Sequence, residues 1–173
     1  MKTFGKLTNF LNKLVLEISA VMFLLMAFAA IWQVFTRYAT ATSAPWTEEY
    51  ARYLFIYVAL LGATIAVKSG GHVAVNLVTD RLKGKLKHAV AIFATLMGIG
   101  FFCVMIYAGY FSMLKAAMQV SPATETNMGL VYASVPISGA LMLLYSIEVL
   151  LNLLIQGPPP EVEATIASIS ANE

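Results

Sequence analysis

Charge is scarce in this 173-residue chain: Asp, Glu, Lys and Arg make up 12% of its residues, whereas hydrophobic residues make up 60%. A soluble domain usually carries about one quarter charged residues. The composition therefore excludes a soluble globular protein and predicts an integral membrane protein. We expect no nucleic-acid partner.

Cysteine is almost absent, since Cys103 is the only one. A disulfide framework, a Cys-x-x-Cys redox pair and a quinone-linked disulfide enzyme are therefore excluded. Two histidines and one cysteine argue against a structural zinc site. The sequence also lacks a nucleophile–base–orienter set and a phosphate-binding loop. We predict that the chain is not an enzyme and needs no cofactor.

Long apolar runs dominate what is present. They predict an all-α membrane protein, with residues 1–155 forming one four-transmembrane-helix bundle and residues 156–173 a mobile acidic tail. The spans are predicted at about residues 14–37, 46–68, 88–115 and 130–155. Pro136 predicts a kink or a late helix start in the fourth span.

Two amphipathic segments accompany the spans. An N-terminal lead-in carrying Lys2, Lys6 and Lys13 is expected to lie in the membrane interface and then turn into the bilayer. A short interfacial helix is expected within residues 69–87, between spans 2 and 3. Its basic residues would meet anionic lipid headgroups: Arg81, Lys83, Lys85 and Lys87.

The second span is unusually short between its flanking charges. Fifteen uncharged residues separate Arg52 from Lys68; they rise about 22 Å, against a hydrocarbon core of about 30 Å. Lys68 can snorkel toward water. Arg52 can pair with Glu48 or Glu49, four and three residues back on one helix face. Such a cluster is either a functional site or a helix cap with local ion pairs.

One side of the second span carries small residues at spacings of three and four, namely Ala59, Gly62, Ala63 and Ala66. Such a face allows close approach of another helix, either a partner's or one of the chain's own. Trp46 lies with Tyr50 and Tyr53 at the N-terminal boundary of this span, as in an aromatic belt. His72 follows two glycines and is predicted to be a hydrogen-bonding cap or a pH-sensitive contact.

Two carboxylates lie near the ends of spans. Glu17 is expected to pair with Lys13, with an ion-coupling role as the alternative, and Glu148 is expected to pair with a lysine or to hydrogen-bond within the bundle. Eight of the eleven Lys and Arg residues fall in the N-terminus and the second loop. The distribution predicts that both termini are cytoplasmic and that Trp46 faces outward.

The chain shows no clear midplane polar groups, discontinuous helices or internal repeat, which a self-sufficient transporter usually has. We therefore interpret it as a subunit that supports a larger membrane partner. Two alternatives remain open at this point. One is a redox anchor that binds haem through His72 and His88, and the other is a small oligomeric exporter that uses Glu17.

Four short motifs in order add a resemblance: Phe35-Thr-Arg37-Tyr38, Trp46-Thr-Glu48-Glu49-x-Ala51-Arg52-Tyr53-x-Phe55, Gly62-Ala63 and Gly71-His72. Over residues 10–155 the chain resembles the small membrane subunit of tripartite ATP-independent periplasmic (TRAP) transporters, the DctQ-like family. This resemblance implies a large multi-span transport subunit and a periplasmic substrate-binding protein as partners, in the bacterial inner membrane.

The resemblance also implies a function and roles for residues. The family uses an ion gradient, commonly sodium, to take up small organic acids such as C4-dicarboxylates or sialic acid. Its small subunit is thought to extend the static scaffold beside the moving part of the large one. The family's arginine and acidic pair correspond to Arg52, Glu48 and Glu49, and its loop histidine corresponds to His72.

Overall fold

Four long helices form the protein in the computed structural model, which describes residues 2–39, 44–70 and 85–156. Helix α1 spans Lys2–Ala39, α2 spans Pro45–Gly70 and α3 spans Lys85–Ala116. A short helix α4, Met128–Tyr132, leads into α5, Ser134–Gln156. Within these ranges, four segments are long and apolar enough to cross a membrane, the fourth combining α4 with α5. The predicted all-α, four-span architecture is confirmed.

The helices lie in a row rather than around a common axis. Helix α1 packs on α2, α2 on α5, and α5 on α3, whereas neither α1 nor α2 packs against α3 within the described ranges. Helix α5 is therefore central. In the most apolar stretch of its span 39% of the residues are buried, against 11% in the corresponding stretch of each other span. Both broad faces of the row are left to the membrane or to a partner.

Helix α3 approaches α5 closely because glycines remove side chains from their contact. A Cβ atom at Gly109 would lie 2.8 Å from Val135 Cγ1 and 3.1 Å from Pro136 Cδ. A Cβ at Gly139 would lie 3.0 Å from Ile106 Cγ1. This packing, together with buried residues along α5, forms the interior: Met142, Tyr145, Val149 and Leu153.

The predicted break near Pro136 is confirmed. Helix α4 ends at Tyr132, and α5 starts two residues later. Proline has no backbone N–H, so Pro136 cannot donate to the carbonyl of Tyr132. The chain turns through local bonds instead, with the Ala133 amide 2.9 Å from the Gly129 carbonyl oxygen and Ser134 Oγ donating to the Val131 carbonyl at 2.7 Å.

The N-terminal lead-in differs from the prediction. Helix α1 is continuous for 38 residues, about 57 Å long, without the expected turn between an interfacial part and a span. No proline or glycine occurs after Gly5 to break the helix, and Thr8 is fully buried against the neighbouring helices. The first span therefore has an extended N-terminal part that packs with the bundle.

Most of the connection between the second and third spans lies outside the described residues. This includes most of the predicted interfacial helix, with His72, Arg81 and Lys83. Lys85 and Lys87 fall in the first turn of α3, so that helix begins three residues before the predicted start of the span. The predicted acidic tail is also outside them beyond Gln156.

Candidate functional site

Two polar clusters lie at opposite ends of the bundle, as measured along the helix axes. We call the end where α1 begins and α5 finishes the terminal end. The other, where α1 finishes, α2 begins and residues 117–127 connect α3 to α4, is the loop end. The charges predicted from sequence around Arg52 lie at the loop end, and Lys68 lies at the terminal end.

At the loop end, Arg52 pairs with Glu48 as the four-residue spacing predicts. Arg52 Nη2 donates to Glu48 Oε1 at 2.9 Å, and the two side chains remain 64% and 57% exposed. Pro45 is the first residue of α2, so Glu48 lies in the first turn, where a carboxylate complements the helix dipole. This ion pair is open to other molecules.

Glu49, the alternative partner considered for Arg52, does not join that pair. Its carboxylate instead accepts hydrogen bonds from the 117–127 segment. Glu49 Oε2 accepts from Ser121 Oγ, from Thr124 Oγ1 at 2.9 Å and from the Thr124 amide at 3.1 Å, while Oε1 accepts from the Ala123 amide at 3.3 Å. We call this set, Glu49 with Ser121, Ala123 and Thr124, the loop clamp. Its donors converge on one carboxylate.

The clamped segment also has internal order. Val120 and Asn127 form an isolated antiparallel bridge. Glu125 adopts a left-handed backbone conformation, with φ of 51°. Asn127 caps α4 by accepting a hydrogen bond from the Gly129 amide at 2.8 Å. The segment is therefore a defined surface element at the loop end.

Two tyrosines attach α2 to α4 below this segment. Tyr57 Oη donates to the Leu130 carbonyl oxygen at 2.6 Å, and Tyr53 Oη lies 3.6 Å from Met128 Sδ. Beside them a cleft of about 630 Å³ opens. Its lining combines polar groups with apolar side chains: Glu49, Arg52, Tyr53, Ile56, Val131 and Val135.

The small residues of α2 lie on the surface of the part of the chain that the structure describes. Ala59, Gly62, Ala63 and Ala66 are all exposed, and a Cβ atom at Gly62 would meet nothing within 4 Å. Phe55 lies on the same side and is 59% exposed. We call the four small residues, together with the neighbouring Phe55, the small-residue face. Among the described residues, this exposure favours the alternative in which the face receives a helix of a partner rather than one of the chain's own.

Trp46 is half-exposed at the start of α2, 49% accessible, and packs edge-on against Tyr50, which in turn packs against Tyr53. The order matches an aromatic belt at a membrane boundary. Trp46, Arg52 and the small-residue face therefore run down one helix from the loop end.

The terminal end holds a cluster that sequence reasoning left incomplete. Lys68 Nζ donates to Glu148 Oε2 and, at 3.1 Å, to Thr8 Oγ1. The Lys68 and Glu148 side chains are each only 14% exposed. The ammonium also lies 5.5 Å from the ring centroid of Tyr145, a fully buried residue. We call Thr8, Lys68, Tyr145 and Glu148 the Lys68 node.

The prediction that Glu148 pairs with a lysine is confirmed. The prediction that Lys68 snorkels toward water is wrong, because its ammonium turns to this carboxylate. The available signal was the presence of one cation and one anion in separate apolar spans near the same membrane face.

The predicted Lys13–Glu17 ion pair is also wrong: both side chains are exposed, and that pair is not among the ion pairs of the described residues. An exposed pair gains little energy, so neither side chain is held. In the same ranges, no group of three or more His, Cys, Asp or Glu residues is arranged to hold a metal.

Fold and site together define a class: a polytopic membrane protein whose polar groups fix helices and a loop, and whose second helix exposes small residues in the described part of the chain. Comparison with known proteins makes this specific. Residues 26–156, which are 131 of the 173 residues, match the family described as tripartite ATP-independent periplasmic transporters, DctQ component. The chain belongs to this family and is a multi-pass protein of the bacterial inner membrane.

Individual relatives agree. The chain is 29% identical over 126 residues to the sialic acid TRAP transporter small permease protein SiaQ of Vibrio cholerae, covering 71% of each protein. It is 32% identical over 138 residues to a putative TRAP transporter small permease protein of Haemophilus influenzae, covering 79% of this chain and 84% of that protein.

A third relative is much longer. The chain is 24% identical over 140 residues to the sialic acid TRAP transporter permease protein SiaT of Haemophilus influenzae, covering 81% of this chain but 23% of SiaT. A region similar to this chain therefore forms part of a longer permease polypeptide. TRAP small subunits partner with large permease subunits. The relatives are transporter subunits and not enzymes, which favours the subunit interpretation over the haem anchor and the exporter.

Proposed function

We propose that this chain braces the large permease subunit of a TRAP transporter through the small-residue face of α2. The observation that carries the proposal is the exposure of that face, with Gly62 open to any neighbour. Lipid is as apolar as leucine, so helices associate in a membrane through close fit and a few polar contacts rather than by hydrophobicity. Small side chains allow that fit.

The polar residues at the top of α2 extend the proposed contact. Arg52 and Glu48 are paired but exposed, and their guanidinium and carboxylate retain free hydrogen-bonding capacity. Together with Trp46 they would orient the large subunit or meet a docked binding protein. Glu49 would act indirectly, by shaping the segment it clamps, and His72, which follows α2 in the sequence, would join the contact with the large subunit.

We also propose an orientation with both termini in the cytoplasm and the loop end in the periplasm. Eight of the eleven Lys and Arg residues lie on the side assigned to the cytoplasm, including Arg81, Lys83, Lys85 and Lys87. Those four would contact anionic lipid headgroups. The loop clamp would then face the soluble periplasmic protein that delivers substrate.

The transported solute is proposed to be an organic acid of the sialic acid or C4-dicarboxylate type, as the names of relatives suggest. Uptake would be driven by an ion gradient, with sodium as the coupling ion. The substrate and the coupling ions would bind to the partners, because this chain's buried charges are engaged with one another.

Reconstitution tests this function. Proteoliposomes containing this chain, the large subunit and the binding protein should accumulate the organic acid under an inward sodium gradient. Vesicles with this chain alone should accumulate none. Uptake by the three components without a sodium gradient would reject sodium coupling, and uptake by this chain alone would reject the bracing function.

A further inference from the structure

The Lys68 node joins three helices through one ammonium group. Its donors reach Glu148 of α5 and Thr8 of α1, while its third side faces the Tyr145 ring. Thr8 is fully buried and its own hydroxyl donates to the Gly5 carbonyl oxygen at 3.1 Å. Thr8 is thus held by its own helix where it meets the ammonium.

Helix α1 needs such a fixed point. It packs mainly on α2 and reaches α5 in only a small contact, to which the terminal end contributes. There the Glu148 side chain reaches α1, since a Cβ atom at Gly5 would lie 3.6 Å from Glu148 Oε1. Apolar contacts alone define the position of α1 poorly, because sliding or rotating an apolar helix exchanges one set of such contacts for another.

A charged pair discriminates between positions far more sharply. Sliding α1 by one residue moves its side chains about 1.5 Å along the axis and turns them through about 100°. Such a shift takes Thr8 away from Lys68. A corresponding shift of α2 against α5 separates Lys68 from Glu148 and leaves two charges unpaired in a region of low dielectric. Fixing of register is the best-attested use of buried polar pairs.

We infer that Lys68 and Glu148 are a positioning pair that sets the register and rotation of α1, α2 and α5 at the terminal end. The pair favours one arrangement of these three helices over others, whichever solute the transporter carries. The inference is independent of the proposed contact between α2 and the large subunit.

Distance measurement between spin labels tests it on the full-length chain in lipid nanodiscs. Cys103, which is exposed, is first replaced in Cys103→Ser. Labels are then attached through Asn9→Cys on α1 and Leu151→Cys on α5, two exposed positions outside the node. The unmutated node should give one narrow distance distribution.

Three node variants and one control define the outcome. Glu148→Gln should broaden or shift the distribution, and the reversed pair Lys68→Glu/Glu148→Lys should restore a narrow one. The apolar pair Lys68→Met/Glu148→Leu should yield folded protein with a broad distribution. The control Lys13→Met/Glu17→Gln, which removes two exposed charges from α1, should leave it narrow.

The apolar pair keeps the test decisive if Glu148→Gln does not fold. A narrow, unshifted distribution in the apolar pair would overturn the inference, since apolar packing would then suffice for register. Failure of the reversed pair to differ from Glu148→Gln would also overturn it. Uptake measurements are not needed, so neither result depends on the proposed function.

Discussion

The two ion pairs found among the described residues show how location decides what a charge does. Arg52–Glu48 at the loop end lies within one helix, four residues apart and more than half exposed. Lys68–Glu148 at the terminal end joins two helices, 80 residues apart and largely buried. The first is cheap to break and free to bind a partner. The second is costly to break and holds the helices together.

The largest expected effect on stability comes from removing the carboxylate of the buried pair, compared with removing that of the exposed pair. Glu148→Gln leaves the Lys68 ammonium buried without its counter-charge and should destabilise the protein by about 3 kcal/mol. Glu48→Gln removes an exposed partner and should cost about 0–1 kcal/mol. Unfolding of both variants in mixed micelles measures the difference. Equal losses would contradict the contrast between the ends.

The next effect concerns two glycines, one inside the row and one on its surface. Gly109→Ala places a Cβ atom 2.8 Å from Val135 Cγ1 and should cost about 1–3 kcal/mol through overpacking. Gly62→Ala meets nothing within 4 Å and should stabilise α2 by about 0.5–1 kcal/mol. The same unfolding assay applies, and a destabilising Gly62→Ala would show that the small-residue face is packed within this chain.

A smaller and more local effect is expected at the loop clamp. Glu49→Gln turns a carboxylate that accepts four hydrogen bonds into a neutral amide. Hydrogen exchange of the Ala123 and Thr124 amides should accelerate about tenfold, the factor expected for losing ordinary hydrogen bonds. Glu48→Gln, one position earlier, should leave those amides unchanged. Unaltered exchange in Glu49→Gln would show that the Glu49 carboxylate does not hold this segment.

The smallest effect on stability is expected at Arg52, whose replacement should instead affect transport. Arg52→Ala should change the free energy of unfolding by less than about 1 kcal/mol, yet lower substrate uptake by the complex several-fold. Lys115→Ala, which removes a cation from the last turn of α3 at the same end, should leave uptake near normal. Similar uptake in the two variants would remove the special role of Arg52.

Local features of the fold were predictable from sequence because they depend on neighbouring residues. Pro45 begins α2 and Pro136 interrupts the fourth span, since proline constrains its own helix. The Glu48–Arg52 pair follows from a spacing of four residues on a helix. The length of each apolar run similarly indicated four spans.

Contacts between distant residues were not predictable in the same way. Glu49 was considered only as a possible partner of Arg52, and its bonds to donors 72 to 75 residues away were not anticipated. Lys68 and Glu148 were each recognised, without the partner of either. The order of helices in the row also escaped prediction, because spans that are apolar on all sides do not indicate which face packs. Consequently the exposure of Gly62 could be learned only from the structure.

The central claim is that α2 offers its small-residue face to the large permease subunit. Its most direct test is co-purification of the large subunit with a tagged version of this chain in mild detergent, comparing Gly62→Leu with Gly100→Leu. A Cβ atom at either glycine meets nothing within 4 Å, so both variants should fold. We predict that Gly62→Leu loses most of the large subunit while Gly100→Leu retains it. Full recovery of the large subunit with Gly62→Leu would contradict the account.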